Sequence, residues 1–188
     1  MNPDGFETVP PTLVGDGVTQ RALGQGDALA MYRLFSDPEV VQYTSVARFA
    51  DVEQARQWIQ RGLDAFAEGG MYRWAVELDG EVVGTSMIFL IDRVHRRAEI
   101  GFAVLREQWG KRIVSRVIPP LIAFGFERLG LHRLEAVVEP HNTPSLLALQ
   151  RCDFRQEGVL RQRSFKNGSF QDEVVLAILR PEWRGSRT

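Results

Sequence analysis

Cysteine is nearly absent from this 188-residue chain. Cys152 stands alone, which excludes an intramolecular disulfide framework, and the three histidines have no close cysteine or acidic spacing of metal-site type. No metal is expected, and a reducing compartment is the natural home. A surplus of either charge is also missing: Lys and Arg number 23 against 24 Asp and Glu, a formal net charge of -1. No global field therefore recruits nucleic acid or anionic lipid, and a charged ligand has to be met locally. Long apolar runs are lacking too. No stretch approaches the roughly 20 apolar residues of a membrane span, and residues 1–12 have neither a basic start nor an apolar core of export-signal type. The chain reads as a soluble, cytoplasmic protein without repeats or low-complexity segments.

What is present is enough apolar residue, 44%, for one buried core and too little length for two comfortable domains. The expected division is a tail over 1–10, one domain over 11–183 and a tail over 184–188. A weak alternation predicts a strand over 18–23. Asp27 is placed to cap a helix carrying Leu29, Ala30, Tyr32, Arg33 and Leu34, and the Ser36-Asp37-Pro38-Glu39 run stops it and starts another turn. Asp51 opens a longer amphipathic helix with Ala55, Trp58, Ile59, Leu63 and Phe66 on one stripe, closed by Gly69-Gly70.

From Tyr72 the period changes to two. Asp79-Gly80 separates two alternating runs, a strong hairpin signal, and a third run over 97–105 completes an antiparallel meander. Residues 109–129 read as a helix kinked by Pro119-Pro120. A strand over 132–139, a short helix over 142–152 and strands over 154–163 and 169–179 around Lys166-Asn167-Gly168 follow. The result is a mixed α/β domain.

The strand from Glu99 runs into Gln108-Trp109-Gly110-Lys111 and then a helix, an arrangement that offers unpaired N–H groups to phosphate. Its neighbours make the pattern specific. Glu99-Ile100-Gly101-Phe102-Ala103-Val104, Trp109-Gly110-Lys111, Leu129-Gly130-Leu131-His132-Arg133-Leu134-Glu135-Ala136, Asn142-Thr143-Pro144-Ser145, Phe154, Glu157-Gly158-Val159-Leu160 and Pro181-Glu182-Trp183 together resemble the RimJ/RimL branch of the GNAT N-acetyltransferase superfamily. That resemblance implies a GNAT fold: a central, mostly antiparallel twisted sheet flanked by helices, with a splay between its fourth and fifth core strands where acetyl-CoA lies.

Carried over by position, the resemblance assigns the pantetheine arm to the backbone of Phe102, Ala103 and Val104. It assigns the pyrophosphate to the turn of Trp109, Gly110, Lys111, Arg112, Ile113, Val114 and Ser115. Glu99 corresponds to the base, acting directly or through water, or is a solvated strand-end carboxylate. Ser145 corresponds to a donor to the sulfur, or satisfies a helix end with Asn142 as N-cap; Asn142 also contacts the pantetheine amide. Leu149 stands where many relatives have a tyrosine donor. Tyr43 and Phe49 are candidates for the acceptor-side wall, and Cys152 for a packed residue. The implied reaction is direct acetyl transfer to a primary amine, a small molecule or a protein N-terminus, by a monomer or homodimer. Several positions depart from the family pattern: Arg112 and Asp153 replace glycines, Val114 a small residue, Arg106 a proline and Arg116 an acid. These departures motivate the alternative, a GNAT-fold binding or regulatory protein with weak or no turnover.

Overall fold

The computed structural model describes residues 9–166 and 168–185. Its elements run β1 (Leu13–Gly15), β2 (Val18–Ala22), α1 (Ala28–Ser36), α2 (Pro38–Val41), α3 (Val52–Ala67), β3 (Met71–Leu78), β4 (Glu81–Asp92), β5 (Arg97–Val104), α4 (Ile113–Ala123), β6 (Arg133–Val138), α5 (Thr143–Arg151), β7 (Arg155–Lys166) and β8 (Ser169–Leu179). The eight strands form one sheet in the order β1-β2-β3-β4-β5-β6-β8-β7. Every neighbouring pair is antiparallel except β5 and β6. The mixed α/β class and the antiparallel meander are as expected.

Local chemistry explains most boundaries. Asp79 and Gly80 both take positive φ, 52° and 82°, the conformation that a two-residue hairpin turn needs to match strand twist. Asp51 accepts the Gln54 N–H at the start of α3, and Gly69 at φ 74° lies just beyond its end. The strand β1 is an addition. Asp16-Gly17 separates Leu13–Gly15 from Val18–Ala22 as a hairpin, so the splay falls between the fifth and sixth strands. In α1 the buried stripe is Ala28, Met31, Leu34 and Phe35, while Leu29 is 62% exposed. Asp27 does not cap this helix through its side chain; that carboxylate accepts from the Gly24 N–H and pairs with Arg21 at 2.7 Å.

One sheet face carries α4 and α5 over Trp74, Val76, Ile88, Ile100, Leu134 and Leu176; the other carries α1 and α3 over Ala75, Met87 and Ala103. Trp58, Phe66 and Trp74 belong to these cores, as expected. Phe49 does too. It is buried and its ring meets Phe35 at 5.3 Å and Trp58 at 6.3 Å, so it is core rather than acceptor wall.

The helix expected from Trp109 starts later. Gly110 (φ 78°) and Arg112 (φ 57°) are left-handed, a conformation that cannot propagate into a right-handed helix, and α4 begins at Ile113. Pro119 and Pro120 lie inside α4 and have no N–H to donate to the carbonyls of Ser115 and Arg116. The Cys152 thiol approaches the Ser115 carbonyl at 3.9 Å as a replacement donor. The helix then passes into a π-helical turn, Phe124–Arg128, and the chain turns at Gly130, φ 65°.

Candidate active site

β5 and β6 pair at only three positions, Arg97 with Arg133, Ala98 with Leu134 and Glu99 with Glu135. Beyond that rung they part. β5 continues along β4 to Val104, and β6 continues along β8 to Val138. The opening between them follows from two different commitments, each strand keeping its antiparallel partner when the parallel pairing ends.

The phase of the ladder decides which backbone groups face this opening. Leu105 donates its N–H to the Val83 carbonyl at 2.8 Å, extending a register in which Val104 opposes Gly84 and Ala103 opposes Thr85. Antiparallel pairs alternate, so Ala103 and Gly101 direct their main chain to β4, while Ile100, Phe102 and Val104 direct theirs outward. Ala103 is therefore not a groove-edge residue; its backbone belongs to the β4 ladder. Residues 100–104 offer about 16 Å of free edge. At its far end the Trp109 indole N–H donates to the Val104 carbonyl at 3.1 Å, with the ring 44% exposed.

The turn after β5 brings unpaired backbone donors to that end of the edge. The first turn of α4, Ile113, Val114 and Ser115, leaves its N–H groups without intrahelical acceptors. The left-handed backbone at Arg112 curls the main chain before them, as an anion-binding nest requires. Arg112 adopts the glycine-like conformation despite its Cβ, and its exposed side chain has no hydrogen bond or ion pair among the described residues. Asp153 takes the same left-handed backbone conformation, at φ 66°. Val114 is half-buried and packed against the core. Two other departures have structural uses: Arg116 hydrogen-bonds the Asp16 carbonyl, docking the first hairpin on α4, and Arg106 pairs with Asp37 at 3.9 Å. The turn thus has a backbone shape able to take a phosphate group, and the free edge of β5 beside it has room for an extended chain.

Glu99 marks the inner end of the opening. It is half-buried and has neither hydrogen bond nor ion pair among the described residues. Burial, then the nearby carboxylates of Glu135 and Glu173, push its pKa up to about 7 against a smaller opposing effect of Arg163. Those neighbours are themselves paired, Glu135 with Arg133 at 2.6 Å and Glu173 with Arg163 at 3.3 Å. Such an environment suits a general base working near neutrality. No site role for Glu135 or Glu173 is legible in the sequence because their proximity to Glu99 depends on sheet register, although the alternation of β6 and β8 sets both on one face.

Asn142 caps α5, its Oδ1 accepting the Ser145 N–H at 3.3 Å, which leaves its amide NH2 free to donate. The Ser145 hydroxyl makes no hydrogen bond among the described residues, so this serine does not spend itself on the helix end. Leu149 is fully buried. Cys152 is half-buried, its thiol pushed up to about 11 by burial, consistent with a packed residue. Among the described residues no three His, Cys, Asp or Glu side chains are placed so that they could hold a metal ion. No helix there is long and apolar enough to cross a membrane.

The acetyltransferase (GNAT) domain model matches residues 18–155, and the chain belongs to the GNAT acetyltransferase family. It is 39% identical over 177 residues to the uncharacterised N-acetyltransferase p20 of Bacillus licheniformis, covering 93% of this chain and 99% of that protein. It is 28% identical over 139 residues to spermidine N(1)-acetyltransferase of Escherichia coli, 68% of this chain and 75% of that one. Among solved structures, RimJ of Mycobacterium smegmatis in complex with CoA-disulfide superposes with a TM-score of 0.84 at 28% identity, covering 98% of this chain and 92% of that chain.

Proposed function

We propose that the protein transfers the acetyl group of acetyl-CoA to a primary amine, with Glu99 as base and Ser145 as donor to the departing sulfur. The observation that carries this reading is the unpaired Glu99 carboxylate, titrating near 7, at the inner end of a free strand edge whose outer end meets the α4 turn. Acetyl-CoA supplies the activated acyl group; the chain supplies placement and proton handling. Phe102 and Val104 hold the pantetheine arm by main chain, and the N–H groups from Ile113 to Ser115, with the Arg112 guanidinium, hold the pyrophosphate. As the C–N bond forms and the C–S bond breaks, Glu99 takes the amine proton, directly or through water. The Ser145 hydroxyl donates to the sulfur as negative charge develops there. The amine-acetylating relative in Escherichia coli, whose name specifies spermidine, supports an amine acceptor.

The glycine-like backbone at Arg112 and Asp153 weighs against the alternative of a non-catalytic binding protein. Calorimetric titration with acetyl-CoA, followed by product analysis over a panel of peptides, polyamines and aminoglycosides, tests the proposal. Saturable binding and acetylated product are expected, with Glu99→Gln lowering turnover by about 10²–10⁴-fold. Absence of binding at millimolar ligand sinks it, and binding without any acetylated product promotes the non-catalytic reading.

A further inference from the structure

The wide end of the opening is crossed by a side chain. Lys166, last residue of β7, donates to the Glu139 carboxylate at 2.8 Å and to the backbone carbonyl of Gln42. These partners stand on opposite sides of the splay. Glu139 follows the end of β6, one position beyond Val138. Gln42 is the C-cap of α2, and α2 is tied to the turn after β5 by the Asp37 to Arg106 pair.

Register puts this crossing on the same sheet face as Glu99. Glu99 opposes Glu135, Glu135 opposes Ala177 and Val137 opposes Val175, so odd positions of β6 and β8 share the Glu99 face. Ser169 of β8 is one of these, and Lys166 opposes it. The side chains of Lys166 and Glu139 are only about a fifth exposed, 22% and 20%. The Gln42 carbonyl lies past the last turn of α2 and has no helical donor, so the lysine fills a vacancy left by helix termination. A ligand that travels along the Glu99 face from the wide end passes this bridge.

We propose that Lys166 is a strap that joins the two halves of the splayed sheet at its mouth and determines which acceptors reach Glu99, admitting slender amine ends and holding back bulky ones. The inference rests on the acetyltransferase reading for its substrate consequence. The strap itself does not depend on turnover. Residues 97–99 and 133–135 hold the halves together at the narrow end, and Lys166 with Glu139 and Gln42 does so at the other.

The test compares wild type with Lys166→Ala, Glu139→Gln and Lys166→Arg, using n-butylamine and an unblocked tetrapeptide as acceptors at saturating acetyl-CoA. Lys166→Ala and Glu139→Gln are expected to raise the peptide-to-butylamine ratio of kcat/KM by about fivefold, the scale of a partly exposed ion pair. Lys166→Arg keeps the ratio within about twofold, because it restores a donor across the same gap. In the protein without ligand, amide exchange over residues 42–46, 164–166 and 168–171 is expected to quicken by about fivefold in Lys166→Ala and Glu139→Gln, as a local opening made easier. An unchanged acceptor ratio in both variants overturns the specificity role, and unchanged exchange overturns the strap. Should wild type acetylate no amine at all, the acetyltransferase reading fails while the exchange measurement still decides the strap.

Discussion

Glu99 and Glu135 face each other across the last rung that β5 and β6 share, and they are treated differently by their surroundings. Arg133 and Arg97 reach Glu135, at 2.6 and 3.8 Å. Glu99 is left to absorb the electrostatic consequence. Two carboxylates this close do not ionise independently, and the Glu135 charge adds to burial, the leading cause, in letting Glu99 hold a proton near neutral pH.

Activity is expected to fall on the acid side through about pH 7, where Glu99 becomes protonated. Glu135→Gln moves that limb to lower pH by removing a like charge. The displacement stays partial, because burial rather than Glu135 is the leading cause of the raised value. A kcat/KM profile measured in both proteins checks this, and a limb that stays in place excludes the coupling.

Stability carries the same signature with a defined sign. The folded protein keeps the Glu99 proton up to about pH 7, whereas the unfolded chain releases it near the ordinary 4.5. Between these values the folded state binds more protons, so unfolding free energy drops as pH rises through the window and remains lowered above it. Glu99→Gln removes this contribution. Urea melts at about pH 4, 6 and 8 are expected to show the variant and wild type converging at the acid end and the variant gaining towards alkaline pH.

Arg112→Gly separates fold from ligand. Removing a Cβ from a left-handed position relieves about 1–2 kcal/mol of strain, partly offset by about 0.4–1 kcal/mol of added freedom in the unfolded chain. A gain between zero and about 1.6 kcal/mol in denaturant unfolding is expected. Acetyl-CoA binding weakens severalfold at the same time, most clearly at low salt, since a guanidinium suited to phosphate is lost. Unchanged affinity by calorimetry excludes a phosphate contact.

Gln20 tests the inner joint between sheet and helix. It is fully buried; its amide NH2 donates to the Val117 carbonyl at 3.1 Å and its carbonyl accepts from the Ser86 hydroxyl at 2.6 Å. Gln20→Ala takes the acceptor from the buried Ser86 hydroxyl and removes the second donor to the Val117 carbonyl, and is expected to cost about 1–3 kcal/mol in chemical unfolding. Little change in fluorescence-monitored melts rules out that joint as a support of α4.

Elements whose cause is local were readable before any fold was known. Asp79-Gly80, Asp51 with Gly69, and the alternation over β3, β4 and β5 each act through neighbours in the chain, and the bounds of β8 matched the expected 169–179. Asp16-Gly17 is an equally local signal for the β1 hairpin, hidden by the shortness of a three-residue strand. The ordered matches around residues 99–104 and 109–111 likewise carried the GNAT lineage and the position of the opening.

Other features have no one-dimensional signal. Whether Arg112 closes the phosphate turn or shapes it depends on a backbone angle. Whether Ala103 or Phe102 faces the groove depends on ladder phase, which the Leu105 to Val83 hydrogen bond sets. The carboxylates of Glu99, Glu135 and Glu173 meet only when three strands take their registers, and Lys166 reaches Glu139 and Gln42 over 27 and 124 residues of chain. Sequence alone therefore determined the longer strands, most of the turns and the family, because propensity and turn geometry act over a few residues. Tertiary structure decided which atoms face the opening and how they titrate, because burial and charge act through space.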